Sequence, residues 1–148
     1  MPEQLIDPFT PPDASRARAH RQYAALHRIT ERHGDTSSRR RRHAHADVLE
    51  PQDAVRLVLA LAAGAAQLEP GEAEVDPADL TSALTLIPHV RADLDAIELG
   101  LLTMARQRGL TWQAIGFGLG LGSAQAARQR YERLAGRESA SGAGQVAG

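Results

Sequence analysis

The residues of this chain best suited to recognising another molecule lie near its C-terminus, where long polar side chains recur at helical spacing. Gln125 lies three residues before Arg128 and four before Gln129, so a helix presents all three on one side. Arginine can form two hydrogen bonds to the edge of guanine, and glutamine can do the same with adenine. We therefore predict contacts with nucleic-acid bases from Ser123, Gln125, Arg128 and Gln129.

Basic residues surround this group and suit the phosphates of a nucleic-acid backbone. The whole chain has a net charge of −1, but residues 100–138 hold six arginines and two acids, a net charge of +4. Attraction to a polyanion depends on this local field rather than on the net charge of the chain. The predicted phosphate contacts are Thr111, Arg106, Arg108, Arg130, Arg133 and Arg137.

A second basic segment, four consecutive arginines, lies in a polar stretch at 34–48. Its composition leaves two interpretations open, an arm that becomes ordered on phosphates or a solvated loop. An acidic block follows at 69–79, and it is either another solvated loop or a docking surface for a basic partner. The candidate arm consists of Arg39, Arg40, Arg41 and Arg42.

The residue types give no pattern for catalysis or for metal binding. The chain has no cysteine, and its histidines show no pairing with glutamate at a metal-ligand spacing. Because lysine is absent as well, a phosphate-cradling loop of the Gly-Lys type is excluded. No nucleophilic side chain has a base at a recognisable spacing. We therefore expect no enzyme activity, no metal and no cofactor.

Helices must position these groups, because the apolar residues are mainly alanine and leucine and aromatic residues make up 3% of the chain. We predict an all-α fold of five or six helices. Asp13 can cap the first, which ends at Gly34, and Pro51 begins a second that ends near Leu68. The inward stripe of the first helix is predicted to be Ala19, Tyr23, Leu26 and Thr30, with Ile29 beside it.

A third helix should start at Pro77, after the cap Asp76, and end at Gly109. Its apolar residues recur every three or four positions and form one continuous face. Pro88 predicts a kink or break, because proline removes one hydrogen bond and clashes with the preceding turn. The predicted face consists of Leu80, Leu84, Ile87, Val90, Leu94, Ile97, Leu101 and Met104.

The remaining sequence has the signals of two short helices joined by a glycine-bearing turn. Thr111 can cap the first of them, and Ser123 can cap the second, which should end at Gly136. Gly116 allows the two helices to cross closely, and Gly120 can supply left-handed backbone in the turn. The predicted core positions are Leu101, Met104, Ile115, Leu119, Leu121, Ala127, Tyr131 and Leu134.

Three stretches of this region share a recognisable pattern, Ile115-Gly-x-x-Leu119-Gly120, Ser123-x-Gln-Ala-Ala and Arg130-Tyr131-x-Arg-Leu134. The pattern resembles small actinobacterial helix-turn-helix regulators, some of which are labelled small-heat-shock-protein transcriptional regulators. It is also similar to region 4 of sigma factors. The resemblance covers about residues 80–135 and implies DNA binding through the helix at 124–134. The chain departs from it at Gly116, where alanine is usual, at Gly118, and in a turn one residue longer than that of repressors.

These observations predict a DNA-binding protein, either a transcriptional regulator or a nucleoid-associated protein, located in the cytoplasm at the nucleoid and without a membrane partner. The alternative is a helical adaptor that docks on the transcription machinery. Because one helix-turn-helix reads only a few base pairs of double-stranded DNA, we also expect a homodimer. The predicted segments are a disordered tail at 1–12, a helical region at 13–90 that holds the linker and the dimer contacts, a helix-turn-helix domain at 91–137 and a disordered tail at 138–148.

Overall fold

The computed structural model describes residues 13–35, 39 and 49–143. Every regular element in these ranges is helical, which confirms the predicted all-α class. The part of the chain described here contains no helix with both the length and the apolar character needed to cross a membrane. The elements are α1 (Ala14–Ile29) with a following π-helical turn (Thr30–Gly34), α2 (Pro51–Ala62), α3 (Pro77–Gln107), α4 (Trp112–Gly118) and α5 (Ala124–Ala143).

The chain divides into two compact units, one on each side of the bond between Val90 and Arg91. Some of the sequence predictions concern residues outside the described ranges. These residues are the tail at 1–12, the last five residues of the chain, and Arg40, Arg41 and Arg42 of the candidate arm.

Side-chain caps fix where the helices begin. The Asp13 carboxylate accepts hydrogen bonds from two backbone N–H groups in the first turn of α1, at 3.0 and 3.1 Å. At the start of α3, the Asp79 N–H donates to the Asp76 carboxylate at 2.8 Å, and the Asp76 N–H donates to Asp79 at 3.0 Å. This reciprocal arrangement is a capping box, with Pro77 at the first helical position. The predicted starts at Asp13, Pro51 and Pro77 are confirmed.

Two of the predicted interruptions differ from the structure. The second helix ends at Ala62 rather than near Leu68, because Gly64 adopts left-handed backbone with φ +76°. The third helix continues through Pro88 without a break. A proline removes one backbone hydrogen bond, and the rest of this 31-residue helix remains bonded on both sides of it.

The end of α5 also lies beyond the predicted position. The helix passes through Gly136 and reaches Ala143 instead of stopping at the glycine. A glycine inside a helix costs about 1 kcal/mol relative to alanine, which neighbouring contacts can offset. One such contact follows directly, since Arg137 donates to the Asp95 carboxylate at 3.0 Å.

The first unit has its own apolar core, formed by α1, α2 and the beginning of α3. The predicted inward stripe of α1 is correct in part, because Leu26 packs partly buried against this core and the neighbouring Ile29 is buried, but Tyr23 is exposed and stacks on His27 at the surface. The buried positions are Ala25, Ile29 and His33, which are spaced four residues apart. The core residues are Ala25, Ile29, Leu49, Ala54, Val58, Ala83 and Leu86.

The second unit has a separate core, built from the end of α3 with α4 and α5. Its buried residues are supported by partly buried Trp112, Leu121 and Tyr131. The predicted core positions Leu101, Met104 and Leu119 are wrong, because all three side chains are exposed. In this unit α3 turns a different apolar face toward α4 and α5. The core residues are Leu99, Leu102, Ile115, Ala127 and Leu134.

Candidate nucleic-acid interface

Hydrogen bonds fix the starts of α4 and α5 and close the turn between them. The Thr111 hydroxyl accepts from a backbone N–H of α4, and the Ser123 hydroxyl accepts from one of α5, each at 3.1 Å. Gly120 has φ +70°, the left-handed conformation predicted for it. The Leu121 N–H donates to the Gly116 carbonyl at 2.8 Å, which closes the turn on α4. The two predicted caps and the turn glycine are therefore confirmed.

The backbones of α4 and α5 come very close at Gly116. A Cβ atom at this position would lie 2.9 Å from the carbonyl oxygen of Ser123 and 3.6 Å from the Cβ of Ala127. The nearer neighbour is backbone, which cannot rotate away as a flexible side chain could. An alanine here would require the two helices to move apart, so this crossing requires the glycine.

The side of α5 that faces away from the core carries the predicted base-contacting residues. Ala127 and Leu134 are buried, and Gln125, Arg128 and Gln129 lie on the exposed side of the same helix. Because successive helical residues are about 100° apart, these three side chains project from neighbouring positions. They line an open surface depression with Ala124 and Glu132.

One predicted base contact already has an intramolecular partner. Arg128 Nε donates to the Glu132 carboxylate at 3.2 Å, and both side chains are mostly exposed. An exposed pair four residues apart in a helix is worth only about 0.3–0.5 kcal/mol. Exchange of Glu132 for another acceptor would therefore cost Arg128 little.

Two of the predicted phosphate contacts have carboxylate partners on α3. Arg130 donates to Glu98 through Nη2 at 2.9 Å and also through Nε, which joins α5 to α3. The hydrogen bond and negative charge of Glu98 raise the pKa of Arg130 above its ordinary value. Arg137 donates to Asp95 at 3.0 Å in the same way. Sequence reasoning missed Glu98, because a partner 32 residues away leaves no local signal.

Three other arginines of this unit remain at the surface. Arg106 donates to the Leu110 carbonyl at 2.7 Å and lies over the ring of Trp112, 4.7 Å from its centroid. Arg108 and Arg133 are exposed, and in the described ranges neither side chain has a hydrogen-bonding or ion-pair partner. These arginines, together with the hydroxyl hydrogens of the two helix caps, are among the donors available to phosphate oxygens.

The candidate arm differs most clearly from its prediction at Arg39. This side chain is buried and donates to the His33 carbonyl at 2.6 Å, to the Gln67 carbonyl at 3.1 Å and to the Glu72 carboxylate. A buried guanidinium with three acceptors cannot reach a phosphate. Arg39 therefore belongs to the first unit's structure, and the prediction of an arm is left with the three arginines that follow it.

Arg39 is part of a buried ionic cluster in the first unit. The cluster joins the end of α1 and its π-helical turn to the loop and cap that precede α3. The two ring nitrogens of His33 face Glu72 at 2.8 Å and Asp79 at 3.3 Å. Asp79 also accepts from Arg28 at 3.2 Å and from Arg32 at 2.7 and 3.0 Å.

Burial and hydrogen bonding act on the carboxylates of this cluster in opposite directions. Burial raises the pKa of Asp79, but hydrogen bonds from Arg32, the Asp76 backbone and His33 outweigh it and lower the pKa to about 2. Burial likewise raises the pKa of Glu72, but the hydrogen bonds from Arg39, the Glu69 backbone and His33 together outweigh it, so the pKa is lowered. The acids stay ionised because each has cationic partners, which indicates a structural role for the cluster.

No family model, no curated protein and no solved structure matches this chain. The resemblance to helix-turn-helix regulators therefore stays an expectation drawn from the residues themselves.

Proposed function

We propose that this chain binds double-stranded DNA through α5 and acts as a transcriptional regulator or nucleoid-associated protein. The observation that carries the proposal is the exposed group of Gln125, Arg128 and Gln129 on the outer side of α5. An α-helix fits the major groove, and in helix-turn-helix proteins the N-terminal residues of the second helix contact base edges. The three residues lie in the first two turns of α5.

The proposal is also supported by how rigidly α5 is held. The close contact at Gly116 and the buried Ala127 fix one side of the helix on α4, and the Arg130–Glu98 ion pair fixes it to α3. Base-reading side chains need such a scaffold, because small displacements break two-bond contacts to bases. Arg133, exposed on α5, and Arg108, exposed in the turn after α3, supply positive charge that suits phosphates on the flanks.

Substitutions on the outer face of α5 test this assignment. Gln125→Ala, Arg128→Ala and Gln129→Ala should each relax base preference by about 1–3 kcal/mol, because each removes a pair of hydrogen bonds to one base. Arg133→Ala should weaken binding to all sequences alike, because a phosphate contact carries no sequence information. The measurement is the sequence preference that each variant enriches from a pool of random DNA duplexes.

Matched controls are available in the first unit. Gln52 and Arg56 are exposed on α2, and Gln52→Ala and Arg56→Ala should leave both affinity and preference unchanged. The assignment fails if the wild-type protein enriches no sequence, or if the three α5 variants keep the wild-type preference.

A protein-docking adaptor remains the second candidate, and one observation favours it. Phe117 on α4 is 88% exposed, and Leu110 and Leu119 are exposed in the same unit. Large apolar residues that are exposed rather than buried are a feature of protein-binding surfaces. The adaptor predicts no duplex binding at low salt, and Phe117→Ala should then no longer capture a partner from the transcription machinery.

A further inference from the structure

In the second unit, α3 has an apolar face that no described residue covers. Leu94, Ile97, Leu101 and Met104 are 61%, 57%, 67% and 46% exposed. Single exposed leucines are common on protein surfaces. Four large apolar side chains spaced three, four and three residues apart form a contiguous stripe, and such a stripe marks a binding surface.

The core of the unit uses a different side of the same helix. Leu99 and Leu102 are buried against α4 and α5, and they project well away from the exposed stripe at about 100° per residue. A helix at the surface of a monomer ordinarily carries polar residues on its outer side. This helix carries apolar residues on its inner side and on its outer side. Only the inner apolar face is covered by residues of its own unit.

We propose that this face, Leu94 with Ile97, Leu101 and Met104, binds the same face of a second copy of the chain. Leu94 and Leu101 are seven residues apart, as are Ile97 and Met104, which is the a and d spacing of paired helices. The sequence repeats the interval of seven toward the N-terminus, at Ile87 and Leu80. A two-fold interface uses one patch twice, and a heptad stripe is complementary to itself.

The residues beside the stripe favour a second copy over a charged partner. The flanking positions are Asp93, Gly100 and Gln107 on one side, with Glu98 and Ala105 on the other. Arg130 already neutralises Glu98. A partner with a strongly charged surface would find few complementary charges along this stripe. A second copy of the helix would meet little repulsion, because few like charges would face each other.

This surface differs from the one that the sequence predicts for a dimer. The predicted interface lies within residues 13–90, but Ile29, Val58 and Leu86 of that region are buried together inside the first unit.

The proposed dimer is independent of DNA binding, because the mass of the protein is measured without DNA.

Sedimentation equilibrium of the full chain at micromolar concentrations tests the proposal. The wild-type protein should sediment with about twice its 15.9 kDa monomer mass. Leu101→Gln should raise the dimer dissociation constant at least about tenfold, since each dimer then buries two fewer apolar side chains. Leu59→Gln is the matched control, because Leu59 is 66% exposed on α2 and lies outside the stripe.

A monomeric wild-type protein overturns the proposal. So does a Leu101→Gln dimer as tight as the wild-type one, or a Leu59→Gln variant weakened to the same extent. Far-UV circular dichroism and Trp112 fluorescence confirm that each variant is folded. If Leu101→Gln loses helical structure, Ile97→Gln on the same stripe takes its place, with the same expected weakening.

Discussion

Asp79 shows how a single residue can determine the connection between elements. Its side chain is fully buried, and it accepts hydrogen bonds from Arg28 and Arg32 on α1 and its π-helical turn while capping α3. A buried carboxylate is stable in its charged form only if nearby donors replace the water it has lost. The contacts that Arg28 and Arg32 make with Asp79 therefore depend on the ionisation of this acid.

Acid should weaken the first unit through Asp79. Its pKa is about 2 in the folded protein against an ordinary value of 3.8, so the stabilisation is fully present above pH 3.8 and is lost as pH falls toward 2. The difference corresponds to about 2 kcal/mol of unfolding free energy. Urea denaturation followed by circular dichroism, from neutral pH down to about pH 2, measures the loss.

The control for this prediction is Asp79→Asn, which cannot titrate at this position. Its unfolding free energy should fall less steeply across the same pH range, although it starts lower because Arg32 loses a charged partner. Equal pH dependence in the wild-type protein and in Asp79→Asn would show that Asp79 is not the group responsible.

The ionic cluster was beyond sequence reasoning for a physical reason. Arg39 stands in a run of arginines, which alone suggests a solvated segment or an arm. Its acceptor Glu72 is 33 residues away, and Asp79 is 46 residues from His33. Nothing in the local spacing of these residues identifies their partners, because the contacts exist only once α1 and α3 have packed.

At the scale of elements, the crossing of α4 and α5 depends on Gly116. Gly116→Ala should destabilise the second unit by about 1–3 kcal/mol, because its Cβ would meet the Ser123 carbonyl at 2.9 Å and force the helices apart. Gly118→Ala is the matched control, since its Cβ would meet open space. That variant should be neutral or more stable by up to about 1 kcal/mol.

Thermal or urea unfolding followed by Trp112 fluorescence measures both variants, because this is the only tryptophan of the chain and it packs on the second core. If Gly116→Ala proves as stable as Gly118→Ala, the helices do not require a glycine where they cross.

Helix starts could be predicted from the sequence, and the choice of buried face could not. Asp13, Thr111 and Ser123 act through N–H groups two or three residues away, so the signal and its effect are both local. In α3, by contrast, Leu99 with Leu102 and Leu94 with Leu101 both fit a helical period. Only the packing of α4 and α5 determines which pair is buried. The stripe that contains Leu94 and Leu101 is the longer of the two and is the one that the apolar period favours, but in the structure it is exposed.

At the scale of the whole molecule, charge is distributed unevenly around a net value of −1. Residues 47–99 have a net charge of −9, and residues 100–138 have a net charge of +4. Of the arginines in the second segment, Arg130 and Arg137 are paired with acids of α3. The segment 100–138 therefore offers few cations without an acidic partner, which predicts that DNA binding by this segment has moderate strength and marked salt dependence.

The most direct test of the central claim is the salt dependence of duplex binding by the wild-type protein. Fluorescence anisotropy with a labelled mixed-sequence duplex gives the affinity between about 50 and about 200 mM salt. If Arg106, Arg108 and Arg133 each neutralise one phosphate, the logarithm of affinity should fall against that of salt with a slope of about −3 for one copy, or about −5 for a dimer. The absence of binding at about 50 mM salt, or binding that does not change with salt, would contradict DNA recognition by this unit.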